Sequence, residues 1–254
     1  MKTQLTKVIL FICGWISFVS CKNSTQQLSK IVGKNIAIDS AMVANTAIDS
    51  MIAPYKTQLD REMQQILTYT PVTLQKKTDQ QQSNLGNLMA DLTYQMAQPI
   101  FQNKTKQTID FALFNSGGIR ALISKGNVTK EHAFKLMPFE NQLVVVQLSG
   151  KKTEELIHYF IQGKKAHPLS KQIKLTIHND QSYELSIRGQ KFDPNKNYLV
   201  LTSDYLQHGG DGMDFFKNPI ALTKIDLKVR DAIIQYFKKT DTLKARIDHR
   251  ITLD

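Results

Sequence analysis

The chain has 254 residues, with 33 Lys and Arg against 22 Asp and Glu, a formal charge of +11. That length suffices for one large domain or two small ones. The lysines are spread along the chain in short pairs (Lys76-Lys77, Lys151-Lys152, Lys164-Lys165, Lys238-Lys239). They read as a solvated basic surface with at most a mild pull on anionic ligands, and nucleic-acid binding is excluded.

Residues 1–20 read as a secretory signal peptide. Lys2 and Lys7 form a basic start, Val8–Ile16 a short apolar run, and small residues lead to Cys21. Val19-Ser20-Cys21 resembles the lipobox of bacterial lipoproteins, with Phe18 where an aliphatic residue is usual. Lipidation at Cys21 is the expectation, with plain signal-peptidase cleavage nearby as its alternative. Cys13 would leave with the signal and Cys21 would take the lipid, so the mature chain keeps no thiol for a disulfide, a metal or a nucleophile. The expected product is an exported, membrane-anchored lipoprotein, periplasmic or cell-surface. Its membrane contact is through the lipid anchor only, because no second apolar segment approaches membrane length.

Residues 21–47 are polar and read as a tether and approach segment; the short echo of Ala37–Ser40 at Ala47–Ser50 is not a repeat architecture. From Asp49, the spacing of Ile52, Tyr55, Leu59, Met63 and Ile66 predicts a helix, with Pro54 in its first turn. A strand is predicted over 70–75. Ser83 is placed to cap a second helix whose stripe is Leu85, Leu88, Met89, Leu92 and Met96. Phe111–Phe114 reads as a buried strand, Thr129–Phe134 as a short helix ending before Pro138, and Leu143–Leu148 as the strongest strand in the chain. A helix over Lys152–Gln162 ends at Gly163. Residues 172–178 and 183–188 form a hairpin turning at Asn179-Asp180, and Tyr198–Thr202 is a further buried strand. Asp226 is placed to cap the last long helix, and a strand over 245–253 closes the chain. Helices and strands mix without strict alternation, so the fold class is α+β, mixed sheets packed with helices, in one domain over 48–254.

Three loops carry candidate chemistry. Asn115-Ser116-Gly117-Gly118-Ile119-Arg120 follows a strand with two glycines that let backbone N–H groups approach a ligand, and Arg120 offers a planar fork of donors for phosphate or carboxylate. Met137–Asn141 presents Phe139 after a stiffening proline. Tyr205–Gly212 sets Asp211 among three glycines, Gly210 included. A large ring gains about 1.5–3 kcal/mol by entering the core, so an aromatic on such a loop is unusual. Phe139 and Tyr205 could clamp a flat base from both sides, Asp211 accept ribose hydroxyls and Arg120 hold a phosphate. Two core aromatics and three structural turns remain the plainer reading of the same residues.

Taken together, Asn115–Arg120, Pro138-Phe139 followed by Gln142–Gly150, Ser203–Gly212 and the helix opening Ser83–Asp91 resemble the C-terminal domain of 5′-nucleotidases, in order from about residue 48 onward. The resemblance implies that this domain binds the nucleotide while a separate catalytic domain uses two metal ions. It implies Phe139 and Tyr205 as the base clamp (tyrosine where phenylalanine is usual), Asn115 beside the base, Asp211 on the ribose and Arg120 near the phosphates. Gly117, Gly118 and Gly210 complete the substrate-binding set. Many members carry a further arginine just ahead of the Ser83 helix start, where this chain has Asp79-Gln80-Gln81-Gln82.

The family's catalytic half also requires Asp-x-His, Gly-Asn-His and Gly-His-x-His segments. The six histidines (His132, His158, His167, His178, His208, His249) fall in none of these patterns. No serine elbow is present either. No catalytic residue, metal site or cofactor is therefore expected in this chain. The expectation is the non-catalytic, nucleotide-recognition half of a split 5′-nucleotidase, a phosphoric monoester hydrolase of nucleotide catabolism. It would bind a nucleotide or nucleoside, and an exported metallophosphoesterase chain would supply two divalent metals. The alternative is a free-standing nucleotide- or nucleoside-binding lipoprotein without a catalytic partner.

Overall fold

A computed structural model describes residues 28–40, 42–76, 81–163 and 165–253. The expected signal peptide, Cys21, and Lys77 to Gln80 lie outside the described residues. The chain divides between Asp49 and Ser50 into two units. Residues 28–40 and 42–45, in the first, are exposed and form neither helix nor strand.

The second unit is built around one sheet. Helix α1 (Thr46–Met63) leads into strand β1 (Ile66–Thr70), and helix α2 (Asn84–Thr105) into the short strand β2 (Phe111–Ala112). Strand β3 (Gly126–Thr129) pairs antiparallel with β1 and runs into helix α3 (Lys130–Leu136). Strand β4 (Gln142–Ser149) feeds helix α4 (Gly150–Gly163). Strands β5 (Ile173–Ile177), β6 (Tyr183–Ile187) and β7 (Gln190–Lys191) form the hairpin region. Strand β8 (Asn197–Ser203) turns through helix α5 (Asp204–Gln207), and strand β9 (Ala221–Lys228) precedes helix α6 (Val229–Lys239). Strand β10 (Ile251–Leu253) ends the described chain. The central sheet runs β2-β8-β4-β9 and the second β10-β5-β6-β7.

Strand β4 shows why the sheet is a middle layer. Successive side chains in a strand point to opposite faces. Leu143 and Val145 join one core, with the stripe of α2 and with Ile233 and Phe237 of α6. Val144, Val146 and Leu148 join the other, with Leu156, Ile157 and Phe160 of α4 and the inner face of the hairpin. The α2 stripe is buried at Leu85, Leu88, Met89 and Leu92, and the Ser83 hydroxyl caps the helix by accepting from Gly86 N (3.0 Å).

Four expectations are corrected. The predicted α1 forms, but none of its residues is buried and Ile66 begins β1 instead. Residues 70–75 are not a strand: β1 ends at Thr70, and only Leu74 bridges to Ile123. Asp226 does not cap a helix. It lies in β9 with φ 59°, where the pairing with β4 shifts register, and α6 starts after Lys228 without a side-chain cap. Of the predicted strand 245–253, only Ile251–Leu253 pairs, parallel to β5.

Candidate functional site

The central sheet brings the three loops to one end of itself. Strands β2 and β8 are parallel, with Phe111 opposite Val200 and Ala112 opposite Leu201, so Asn115–Arg120 and Tyr205–Gly212 leave on the same side. Strand β4 is antiparallel to β8, with Leu143 opposite Ser203, so Phe139–Asn141 enters there too.

The first loop is a single 3₁₀ turn at Ser116–Gly118. It is propped from outside: Phe114 N donates to Pro168 O (2.9 Å), and Ser116 N to His167 Nδ1 (3.3 Å). His167 is 3% exposed, and burial, its main influence, pushes its pKa down to about 4. A neutral ring that accepts at Nδ1 carries its proton on Nε2, which has no hydrogen-bond partner among the described residues. The two glycines are needed for contact. A Cβ on Gly118 would lie 2.9 Å from Asn115 Oδ1, and one on Gly117 would lie 3.1 Å from Asp211 Oδ2.

Helix α5 starts on Ser203, whose hydroxyl accepts from Leu206 N (3.3 Å), and then breaks at Gly209 into a turn around Asp211. Asp211 holds φ 56°, a left-handed conformation uncommon outside glycine and found where surrounding contacts over-determine the backbone. Those contacts are visible. Asp211 Oδ2 accepts from Asn115 Nδ2 (2.7 Å), Oδ1 from the Tyr205 hydroxyl (3.0 Å) and the carbonyl from the Tyr159 hydroxyl (3.0 Å). The Tyr205 ring lies on the backbone of Gly210, where a Cβ would come within 2.4 Å of a ring carbon.

Phe139 is 40% exposed and Tyr205 45%, so neither is a core aromatic. Neither belongs to a ring–ring pair among the described residues. The Arg120 guanidinium lies 6.0 Å from the Phe139 centroid, at the limit of a cation–π contact, and donates to Gly117 O (3.3 Å). Phe139 thereby joins the Asn115–Asp211–Tyr205 group through Arg120 and the glycine turn. Its own loop is fixed from below by Arg230, which is buried, donates to Met137 O (3.3 Å) and stacks 4.4 Å from Phe134. Arg230 and Lys228 both pair with Glu140, and their hydrogen bonds, led by that of Lys228, pull its pKa down to about 2.

Three neighbours of the site were not among the sequence candidates: Tyr159, His167 and Lys76. Lys76 Nζ donates to Ile119 O (2.7 Å). Among the described residues no three His, Cys, Asp or Glu side chains are grouped as a metal site.

The family described as 5′-nucleotidase, C-terminal domain, matches residues 65–218, a span that includes Asn115, Arg120, Phe139, Tyr205 and Asp211. Protein UshA of Escherichia coli K12 is 26% identical over 200 residues, covering 75% of this chain and 34% of its own length. The cell wall protein Lmo0130 of Listeria monocytogenes is 29% identical over 178 residues, covering 64% and 22%. The crystal structure of a 5′-nucleotidase precursor from Thermus thermophilus superposes with TM-score 0.66 at 22% identity, over 82% of this chain and 43% of that one, and shows the same fold. The chain thus spans well under half the length of these relatives.

Proposed function

Because the chain belongs to the family of 5′-nucleotidase C-terminal domains, we propose that it is the nucleotide-recognition half of a split 5′-nucleotidase. The observation that carries this reading is the direct hydrogen-bonded group of Asn115, Asp211 and Tyr205, with Arg120 and Phe139 joined to it through Gly117. The base lies between the exposed rings of Phe139 and Tyr205, the ribose hydroxyls reach Asp211, and the phosphate lies toward Arg120. Gly117, Gly118 and Gly210 keep side chains out of these contacts. The chain's contribution is orientation of the substrate; the two metals and the activated water belong to a separate metallophosphoesterase chain.

Helix α1 supports such a partner. Met51, Ile52, Tyr55 and Leu59 fall on one side at helical spacing, all four are exposed, and the helix ends just before the family match begins at residue 65. In this reading that apolar face is covered by the metallophosphoesterase. The protein is exported, which accords with the cell-wall designation of the Listeria relative, and is held by a lipid on Cys21.

The test is purification from native membranes. A metallophosphoesterase is expected to come with the chain, and the pair, but not the pure chain with Mn²⁺, is expected to release phosphate from adenosine 5′-monophosphate. Robust turnover by the pure chain contradicts the proposal.

A further inference from the structure

A cavity of about 760 Å³ opens between α2, the segment 242–250 that leads from α6 to β10, and Pro71-Val72 after β1. None of its lining residues belongs to the three loops of the candidate site. The floor is apolar: Leu88 and Leu243 are buried, and the half-buried Tyr236 and Ala245 pack against the same core. The rim carries three exposed cations, Lys171, Lys244 and Arg246.

The acids of the cavity are already engaged. Arg250, 4% exposed, donates to Asp91 Oδ1 (3.1 Å) and Oδ2 (2.9 Å), and to Asp248 Oδ1 (2.8 Å) and Oδ2 (2.7 Å). One guanidinium thus holds both carboxylates, and the three rim cations pair with no carboxylate among the described residues. The backbone under each of them is tied down. Lys171 N donates to Asp91 Oδ1 (2.8 Å), Asn87 Nδ2 to Arg246 O (3.1 Å), and Leu243 N, beside Lys244, to Tyr69 O (2.8 Å). Gln82, 3% exposed, stitches the same irregular segment to the start of α2 through Asp248 O (2.6 Å) and Ile251 O (3.0 Å). Buried amides committed to a coil fix its course, so the charges stand on a rigid frame before any ligand arrives, which lowers the ordering cost of binding. Like charges around a concave wall also focus the field into it.

We infer that this cavity binds a small organic anion with at least two negative charges and an apolar body. Lys171, Lys244 and Arg246 take the charged groups, Arg246 through its planar fork and the lysines as point charges. The floor of Leu88, Leu243 and Tyr236 takes the apolar body. Two positive charges stay uncompensated once Arg250 and one rim cation are set against Asp91 and Asp248, which is why a multiply charged ligand fits and a neutral one does not.

The test is calorimetric titration of the full chain with trimesate (the tricarboxylate of benzene), with its neutral triamide, and with citrate, which has the charge without the ring. Wild type is expected to bind trimesate about tenfold more tightly than citrate, to ignore the triamide, and to bind both anions more weakly as salt rises. The double variant Lys244→Glu with Arg246→Glu, altered at exposed positions, is expected to keep its melting temperature and to lose at least about tenfold for trimesate. Lys171→Gln, on a different segment, is expected to lose in the same direction by about threefold, and so tests the site even if the double variant fails to fold. Trimesate affinity unchanged in both variants puts the anion elsewhere on the basic surface and overturns the proposal. Equal binding of citrate and trimesate by wild type overturns it too, because the apolar floor then contributes nothing. Binding of neither anion by wild type also overturns it.

Discussion

Asp211 is the residue on which the site converges, and its backbone and side chain make separable predictions. Its left-handed φ favours Gly, Asn or Asp, so Asp211→Asn keeps the turn. Stability should change by less than about 1 kcal/mol in a denaturant melt, while adenosine binding should weaken by about 1.5–3 kcal/mol through loss of a charged acceptor. An unchanged affinity would remove Asp211 from ribose recognition. His167 makes a prediction about acid. Its folded-state pKa, about 4, lies below the ordinary 6.5, so the unfolded chain binds the proton more readily. The stabilisation of its neutral form is whole above pH 6.5 and is lost as pH falls towards 4, by up to about 3 kcal/mol. His132, also lowered by burial, adds in the same direction. His167→Asn, which keeps an acceptor for Ser116 N, should flatten the fall in melting temperature over that window; an unchanged acid slope would contradict the assignment. Asn115, Phe139 and Asp211 stand out as candidates in the sequence because each lies on a glycine- or proline-marked loop, and Tyr205, which the structure places in the short helix α5, because it comes just ahead of the glycines of that stretch. Lys76, Tyr159 and His167 do not, since each reaches the site from an element distant in sequence, and nothing local distinguishes such a lysine from a surface one.

At the scale of elements, periodicity located what is buried on both sides and failed where the backbone is irregular. Strand β4 and helix α2 follow their patterns because each packs a continuous apolar face. Strand β9 escaped because its outer residues face solvent and its course bends at Asp226, a positive-φ position that reads locally as a helix cap. Helix α1 has the apolar spacing of a core helix yet buries nothing. The double variant Tyr55→Glu with Leu59→Glu should therefore leave the melting temperature and adenosine 5′-monophosphate affinity unchanged, as expected for exposed positions. If the chain is the half of a split enzyme proposed above, the same variant should abolish co-purification of the proposed metallophosphoesterase. Retained co-purification would place the partner's contact elsewhere.

At the scale of the molecule, the site is a consequence of topology. One parallel pair and one antiparallel pair in the central sheet gather three loops from across about a hundred residues of chain at a single end. Below them, two cores fix the strands, and Arg230 and His167 fix the loops from opposite sides. Exposed above them are two aromatic rings that pair with no other ring among the described residues, a carboxylate and the Arg120 guanidinium, a set that suits the proposed nucleotide ligand. The most direct measurement is calorimetric titration of adenosine into wild type, Phe139→Ala and Tyr205→Ala. Each variant should lose about 1–3 kcal/mol of binding free energy; Phe139→Ala should leave the melting temperature unchanged, while Tyr205→Ala also loses the bond to Asp211 and should lower it slightly. Equal affinity in wild type and both variants would contradict the aromatic clamp, and with it the nucleotide site.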